Sequence, residues 1–239
     1  MTPLPTSEPR YRWLPAVTAV FVTALIVSNI VAVKLIHLGP FTLTGAVLIF
    51  SVSYIFGDVL TEVYGYARAR QIIWIGFACN LLAAIAFVSA GRLPASPDWS
   101  LPGFESAPAA QSAYEAVLGF APLILLASFV AYLAGEFLNS YVLARMKVAT
   151  GGRWLWTRTI ASTLVAQVAD TGLFVGIIFL GGLIVPEAVL PTILGEWVSK
   201  VAYEVLATPI TYRVVNFLKR VEHEDYHDHE TDFNPLKLA

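Results

Sequence analysis

Two carboxylates, Asp58 and Glu62, lie four residues apart within an apolar part of the sequence, Y-I-F-G-D-V-L-T-E-V-Y-G-Y. In a helix this spacing places both on one face, with Tyr54 one turn earlier. A charged side chain at the centre of a transmembrane helix costs about 2.5 to 3.5 kcal/mol on insertion scales, so a chain that keeps two is expected to use them. We predict that this face looks into the protein, where carboxylates can accept hydrogen bonds from a polar ligand.

Further polar residues lie in the other apolar runs. The segment S-T-L-V-A-Q-V-A-D places Gln167 and Asp170 three residues apart, and Lys200 and Glu204 follow at a spacing of one helical turn. Asn29 adds an amide in the first run. Carboxylates accept hydrogen bonds, an ammonium donates them, and amides do both, so this set suits a flat, hydrogen-bonding small molecule.

Most of these residues also have a structural interpretation. Asn29 can form a hydrogen bond between helices, and Lys200 can form an ion pair with Glu204. Glu62 is expected near the cytoplasmic surface, as an exit-side residue or a partner of nearby arginines. Glu136 is expected near the cytoplasmic end of its helix, in an interfacial role or as a ligand. A functional role is favoured most strongly for Asp58 and Asp170.

The composition indicates a membrane protein. Of the 239 residues, 57% are hydrophobic and 13% are charged, and the mean hydropathy is +0.68. A bilayer core of about 30 Å needs about 20 apolar residues as helix. Six runs meet this length, near residues 13–35, 41–66, 70–89, 116–143, 158–184 and 189–216. The predicted fold class is therefore all-α, a polytopic membrane protein built as a six-helix transmembrane bundle.

Charge places the loops relative to the membrane. Lysines and arginines concentrate before the first run, between the second and third, between the fourth and fifth, and after the sixth. Because positive residues stay cytoplasmic, both termini are predicted to be cytoplasmic. We predict a cytoplasmic segment 1–12, a transport domain 13–217 and an acidic tail 218–239, which is expected to be solvated. The proline-rich segment 91–112 is expected to be a plain external connector.

Several classes of protein are disfavoured. A net charge of −2 gives no argument for nucleic acid as a partner. Cys79 is the single cysteine, and the histidines of the tail fit no standard metal site, so no metal or cofactor is expected. An enzyme is also not expected, because no predicted membrane helix carries a histidine and no H-E-x-x-H motif is present.

Four segments of the chain carry a family resemblance. Y-I-F-G-D-V-L-T-E-V-Y-G-Y, S-T-L-V-A-Q-V-A-D, K-V-A-Y-E-V-L-A-T-P-I-T-Y and T-D-F-N-P resemble the bacterial queuosine precursor transporters, a six-helix inner-membrane family. The resemblance extends over roughly residues 15–235. It implies uptake of 7-deazaguanines, such as 7-cyano-7-deazaguanine and its aminomethyl relative. The residues at the family-like positions are Asp58, Glu62, Gln167, Asp170, Lys200 and Glu204, with Tyr54 and Asn29 as companions.

Alternatives remain open at this point. The chain contains no P-loop, so it could be a substrate-capturing subunit that hands its ligand to a separate ATPase. It could also be a ligand-binding membrane sensor or a structural protein. Proton-driven and facilitated uptake are equally compatible with the sequence. The expected partners are a purine-like small molecule and membrane lipid, with a homodimer as a further possibility.

Overall fold

The computed structural model describes residues 11–38, 41–119, 122–182 and 184–237, which form seven helices and a two-stranded hairpin. In chain order the elements are α1 (Leu14–Val31), β1 (Leu35–Leu38), β2 (Phe41–Thr44), α2 (Ala46–Tyr64), α3 (Tyr66–Arg92), α4 (Ala107–Leu118), α5 (Pro122–Ala149), α6 (Leu155–Leu180) and α7 (Pro186–Glu222). Helices suit this apolar chain because a helix pairs its backbone polar groups within its own segment, where hydrocarbon offers no partners.

Among the described residues, five stretches are long and apolar enough to cross a membrane: α1, α2, α3, the stretch Ala107–Ala149 that comprises α4 and α5, and α6. α7 is 37 residues long but carries Glu196, Lys200 and Glu204 within its length, and it is not one of the five. The protein is thus a helical, polytopic membrane protein. The number of six crossings stays a prediction, as does the position of the termini.

The hairpin is a feature that the sequence analysis missed. Residues 41–44 were expected in the second helix, but they form β2, which pairs antiparallel with β1 and places Ile36 opposite Leu43. Gly45 closes the base of the hairpin, since its N–H donates to the Lys34 carbonyl at 2.7 Å. A Cβ at Gly45 would lie 2.8 Å from the Val31 carbonyl oxygen, so a side chain cannot be added without displacing backbone.

The expected connector at 91–112 is helical in its second part. α4 begins at Ala107, and Pro108 occupies its first turn, where a missing N–H is tolerated. The Tyr114 hydroxyl donates to the Phe87 carbonyl at 2.9 Å and so fixes α4 against the end of α3.

α2 is the most enclosed helix of the bundle. It contacts α1, α3, α5 and α7, and every residue from Gly57 to Tyr64 is buried. The face that carries Asp58 and Glu62 therefore looks into the protein, as predicted from their spacing. α5 and α6 pack along each other beside it, and α7 packs against α6 and α2.

Glu222 links the end of the last helix to the residues that precede the first. Its carboxylate, at the end of α7, accepts the backbone N–H groups of Arg12 and Trp13, which precede α1. It also accepts the hydroxyl of Tyr64 at 3.1 Å. We call the end of the molecule where α1 begins and α7 ends the terminal end, and the opposite end the hairpin end.

Most residues of the tail are exposed, as a solvated tail predicts, but residues 224–237, which we call the strap, are also hydrogen-bonded to the bundle. Asp228 is buried, and both its carboxylate oxygens lie 3.1 Å from the Tyr66 backbone nitrogen, at the start of α3. Arg70 donates to two backbone carbonyls of the strap at 2.8 Å each. The strap is therefore folded against the terminal end, held largely through its own backbone.

Candidate functional site

A cavity of about 300 Å³ lies between α1, α2, α5, α6 and α7 toward the hairpin end. We call it the vestibule. Its polar and aromatic lining includes Asn29, Phe50, Asn80, Asp170, Phe174 and Lys200. Its volume is at the lower end of the range of roughly 300 to 1,000 Å³ that is typical of small-molecule sites.

An ion pair joins α6 to α7 at the vestibule. Lys200 Nζ lies 2.8 Å from Asp170 Oδ2 and 3.9 Å from Glu196 Oε2. The same nitrogen lies 5.1 Å from the centre of the Phe50 ring, within cation–π range. The ion pair between Lys200 and Glu204 that the sequence allowed is not the one formed, because Asp170 on the neighbouring helix α6 lies within 2.8 Å of Lys200.

Two amides lie together at another wall of the vestibule. Asn29 Nδ2 donates to Asn80 Oδ1 at 2.9 Å, so the cross-helix hydrogen bond considered for Asn29 is formed between α1 and α3. Both residues also line the vestibule. Each amide carries a second polar atom, so this pair can serve a ligand as well as the helix contact.

A much smaller space lies on the other side of Lys200. This inner cavity, about 10 Å³ in volume, is lined by Phe50, Ser51, Tyr54, Thr163, Gln167, Lys200 and Glu204. Lys200 and Phe50 line both spaces, so they separate the inner cavity from the vestibule. A space of this size holds about one water molecule and excludes a bicyclic ring.

Three predicted site residues that line the inner cavity, and Asp58, which interacts with Glu204, have buried polar atoms without a hydrogen-bond partner. Within the described part of the chain, these buried atoms include Tyr54 Oη, Asp58 Oδ2, Gln167 Oε1 and Glu204 Oε1. Leaving one such buried group unsatisfied costs about 1 to 3 kcal/mol. These atoms are therefore available to bind a water molecule or a ligand.

α5 contributes more polar groups to the centre of the bundle than its sequence indicated. Asn139 donates to Asp58 Oδ1 at 2.6 Å, and Glu136, one turn earlier, has both carboxylate oxygens buried without a partner. Of the two roles considered for Glu136, interfacial residue or ligand, its burial at 0% exposure disfavours the interfacial one. The i, i+3 spacing of the two residues was the available signal, but their depth depends on how α5 is seated against α2. We call Asp58, Glu136, Asn139, Tyr54, Gln167 and Glu204 the polar cluster.

Glu62 does not belong to the polar cluster. Its carboxylate is fully buried at the terminal end and accepts from Arg158 at 2.7 and 2.9 Å and from Lys219 at 2.6 Å. Lys147 Nζ lies 3.6 Å away. The structure thus gives Glu62 the partner role considered for it. Arg158 was missed, although it lies on the helical face of α6 that also carries Ser162 and Asp170.

The strap adds Asp225 to these charges. Asp225 lies 2.6 Å from Lys147 Nζ and 2.8 Å from Lys219 Nζ. Partial burial acts to raise the pKa of Asp225, but the hydrogen bonds from the two lysines outweigh it, and the pKa is lowered from its ordinary value. Asp225, Glu62 and the three cations close the terminal end of the bundle, and we call this group the charge plug.

Comparison with known proteins adds independent findings. A family model described as "Putative vitamin uptake transporter" matches residues 44–214, which include every predicted site residue except Asn29. A protein of Bacillus subtilis (strain 168) named "Probable queuosine precursor transporter" is 32% identical over 194 residues, which is 79% of each chain. No solved structure matches the chain.

Proposed function

Because the chain belongs to the queuosine precursor transporter family of vitamin-uptake-type membrane transporters, we propose that it imports queuosine precursors across the bacterial inner membrane. The substrates on this proposal are 7-deazaguanines such as 7-cyano-7-deazaguanine and 7-aminomethyl-7-deazaguanine. Family membership carries the coarser conclusion, a multi-pass transporter of a small molecule. The finer one is supported by the chemistry of the vestibule.

The observation that carries the proposal is the combination of groups in the vestibule. A guanine-like edge presents a ring N–H and an exocyclic amine as donors beside a carbonyl acceptor. Asp170 can accept from the two donors, while Lys200 or the Asn29–Asn80 amides donate to the carbonyl. The rings of Phe50 and Phe174 line the same space and can stack on a flat bicycle.

The positions of the vestibule and the charge plug indicate which side of the membrane the proposed site faces in this conformation. On the predicted topology the terminal end is cytoplasmic, because Lys147, Arg158 and Lys219 concentrate there. The vestibule then faces the outside, and the charge plug closes the cytoplasmic side. In this state the inner cavity is too small for the substrate. Asp58, Gln167 and Glu204 would therefore meet the substrate only after the helices rearrange.

An uptake assay in cells that cannot make the precursor tests whether the vestibule binds the substrate. We expect Asp170→Asn to reduce uptake of labelled 7-cyano-7-deazaguanine by about 10- to 100-fold, since a hydrogen bond to a charged group contributes about 1.5 to 3 kcal/mol. Glu115→Gln, an exposed change on α4, is the control. Unchanged uptake by Asp170→Asn at normal membrane abundance would contradict the assignment.

A transport assay with the purified protein distinguishes import from the two alternatives, a substrate-capturing subunit and a sensor. In liposomes that contain this chain alone, the proposal predicts that labelled precursor accumulates in the lumen without ATP. Dependence on an added ATPase would indicate a substrate-capturing subunit instead. Binding without entry would indicate a sensor.

A further inference from the structure

The membrane-embedded centre of the protein has more acids than bases. Its carboxylates are Asp58, Glu136, Asp170 and Glu204, all at most 5% exposed. The cation that reaches them is Lys200, and it is already paired with Asp170 at 2.8 Å. The other buried cations of the described chain, Lys147, Arg158 and Arg70, contact the charge plug or the strap. Three carboxyl groups are therefore left without a countercharge.

Glu136 is surrounded by neutral and acidic groups. α2 presents Tyr54, Gly57 and Asp58 to it, and a Cβ on Gly57 would lie 3.0 Å from Glu136 Oε2, so the glycine leaves room for the carboxyl group. α6 contributes Asp170, and α5 itself contributes Tyr132. From α1, Phe21 lies beside the same position of Gly57, and from α3, Cys79 interacts electrostatically with Tyr132. An ionised carboxylate in such surroundings is strongly disfavoured, and taking up a proton removes the charge.

Glu204 has a different position, because it borders the inner cavity. Facing it there are Ser51 and Tyr54 from α2, and Thr163 and Gln167 from α6. Asp58 is close enough to interact with it electrostatically. Lys200 lies one turn earlier on the same helix, at the i, i+4 spacing that allows an ion pair. In the present structure Lys200 contacts Asp170 and Glu196 instead.

We propose that the polar cluster is a proton-binding site, and that Glu204 releases its proton when the substrate draws Asp170 away from Lys200. This inference rests on the proposed function of the vestibule. Before substrate binds, Asp170 neutralises Lys200, and Glu136 and Glu204 carry protons. When Asp170 accepts the N–H groups of the substrate, Lys200 loses its closest partner and keeps, among carboxylates, only the 3.9 Å contact with Glu196. The O–H bond of Glu204 then breaks, the new carboxylate pairs with Lys200, and one proton leaves through the inner cavity to water.

The arrangement makes Lys200 the link between substrate and proton. Its ammonium forms part of the wall of both spaces, and Asp170 and Glu204 lie on opposite sides of that wall. Asp170 and Glu204 compete for this cation, and Glu196, 3.9 Å from it on the same helix, is its weaker third carboxylate, so occupation of the vestibule and deprotonation of Glu204 are coupled. Glu136, which is paired with no cation of the described residues, keeps its proton throughout.

Calorimetry on the purified protein in detergent tests the release. With uncharged 7-cyano-7-deazaguanine as the probe, titrations in buffers of different ionisation enthalpy report how many protons leave per bound molecule. We expect about one proton for the unmodified protein and almost none for Glu204→Gln. Glu187→Gln, an exposed change on the same helix, should match the unmodified protein. Binding without proton release would overturn the inference and leave the proposed function standing, whereas absence of binding would contradict the proposed function.

A second measurement does not depend on the substrate. Infrared spectra at neutral pH should contain the C=O stretching band of protonated carboxyl groups, which shifts in D₂O. We expect the band to lose intensity in both Glu136→Gln and Glu204→Gln, and to be unchanged in Glu187→Gln. A spectrum of the unmodified protein that lacks this band would overturn the proton site, even if no precursor binds.

Discussion

Glu62 shows how a single residue can be essential to the fold without touching a ligand. Three cations converge on its buried carboxylate, so removing the charge leaves buried positive groups uncompensated. Breaking a buried ion pair by removing one partner costs about 3 to 5 kcal/mol. We therefore expect Glu62→Gln to lower the midpoint of thermal unfolding in detergent strongly.

Glu230→Gln, an exposed change in the strap, should leave that midpoint nearly unchanged. An equal midpoint for the two variants would show that the cations find other partners and that Glu62 does not hold the charge plug together.

The spacing of residues predicted some contacts and missed others for a physical reason. Asp58 and Glu62 were correctly placed on one inward face, because a four-residue step fixes direction on a helix. Their partners Asn139 and Arg158 lie 81 and 96 residues away, and such pairs depend on how helices pack, which local spacing does not specify.

At the scale of elements, the strap acts as a cap for α3. Asp228 accepts the N–H of Tyr66, the first residue of that helix, which has no partner within the helix. Loss of such a cap typically costs about 0.5 to 2 kcal/mol. We expect Asp228→Ala to loosen the strap, observed as faster cleavage of residues 224–237 in limited proteolysis.

Glu230→Ala provides the matched control, because Glu230 is exposed and lies two residues from Asp228 in the strap. Cleavage of Glu230→Ala at the rate of Asp228→Ala would mean that the cap does not secure the strap.

The strap should also respond to acid through His227. Burial, together with the positive charge of Lys147, lowers the pKa of His227 from its ordinary value of 6.5. The docked strap therefore favours the neutral ring, and protonation favours the released strap. As the pH falls through about 6.5 and below, we expect proteolysis of the strap to accelerate, whereas His227→Gln should lack this dependence. Identical pH profiles for the two proteins would contradict the prediction.

The elements themselves were predictable where composition decides them. The six apolar runs correspond to α1, α2, α3, α5, α6 and α7, although their ends differ. The hairpin was missed because its leucines and isoleucine extend the hydrophobic pattern of the neighbouring helices. The strap was missed because its polar residues suggest solvent, whereas its backbone carbonyls accept hydrogen bonds from Arg70 and Trp74.

For the whole molecule, the vestibule toward the hairpin end and the charge plug at the terminal end predict that the site is accessible from one side only. Cys79 is the single cysteine, so Cys79→Ala gives a background without thiols. In it, we expect Thr192→Cys, at the vestibule, to react in intact cells with a thiol reagent that cannot cross membranes. Precursor in excess should slow this reaction.

Ser140→Cys is the matched control, because Ser140 is fully buried. Labelling of Thr192→Cys only after the cells are opened would reverse the predicted orientation of the molecule.

The contact of Glu222 with the residues before α1 has a consequence for protein engineering. The beginning of α1 and the end of α7 are hydrogen-bonded neighbours. A short linker could therefore join them, and the chain could begin at another loop without changing the helix contacts. Chains whose termini lie close together tolerate circular permutation. A gene that starts after α3, within residues 93–106, and joins the strap to the segment before α1 by a linker should therefore still yield this bundle.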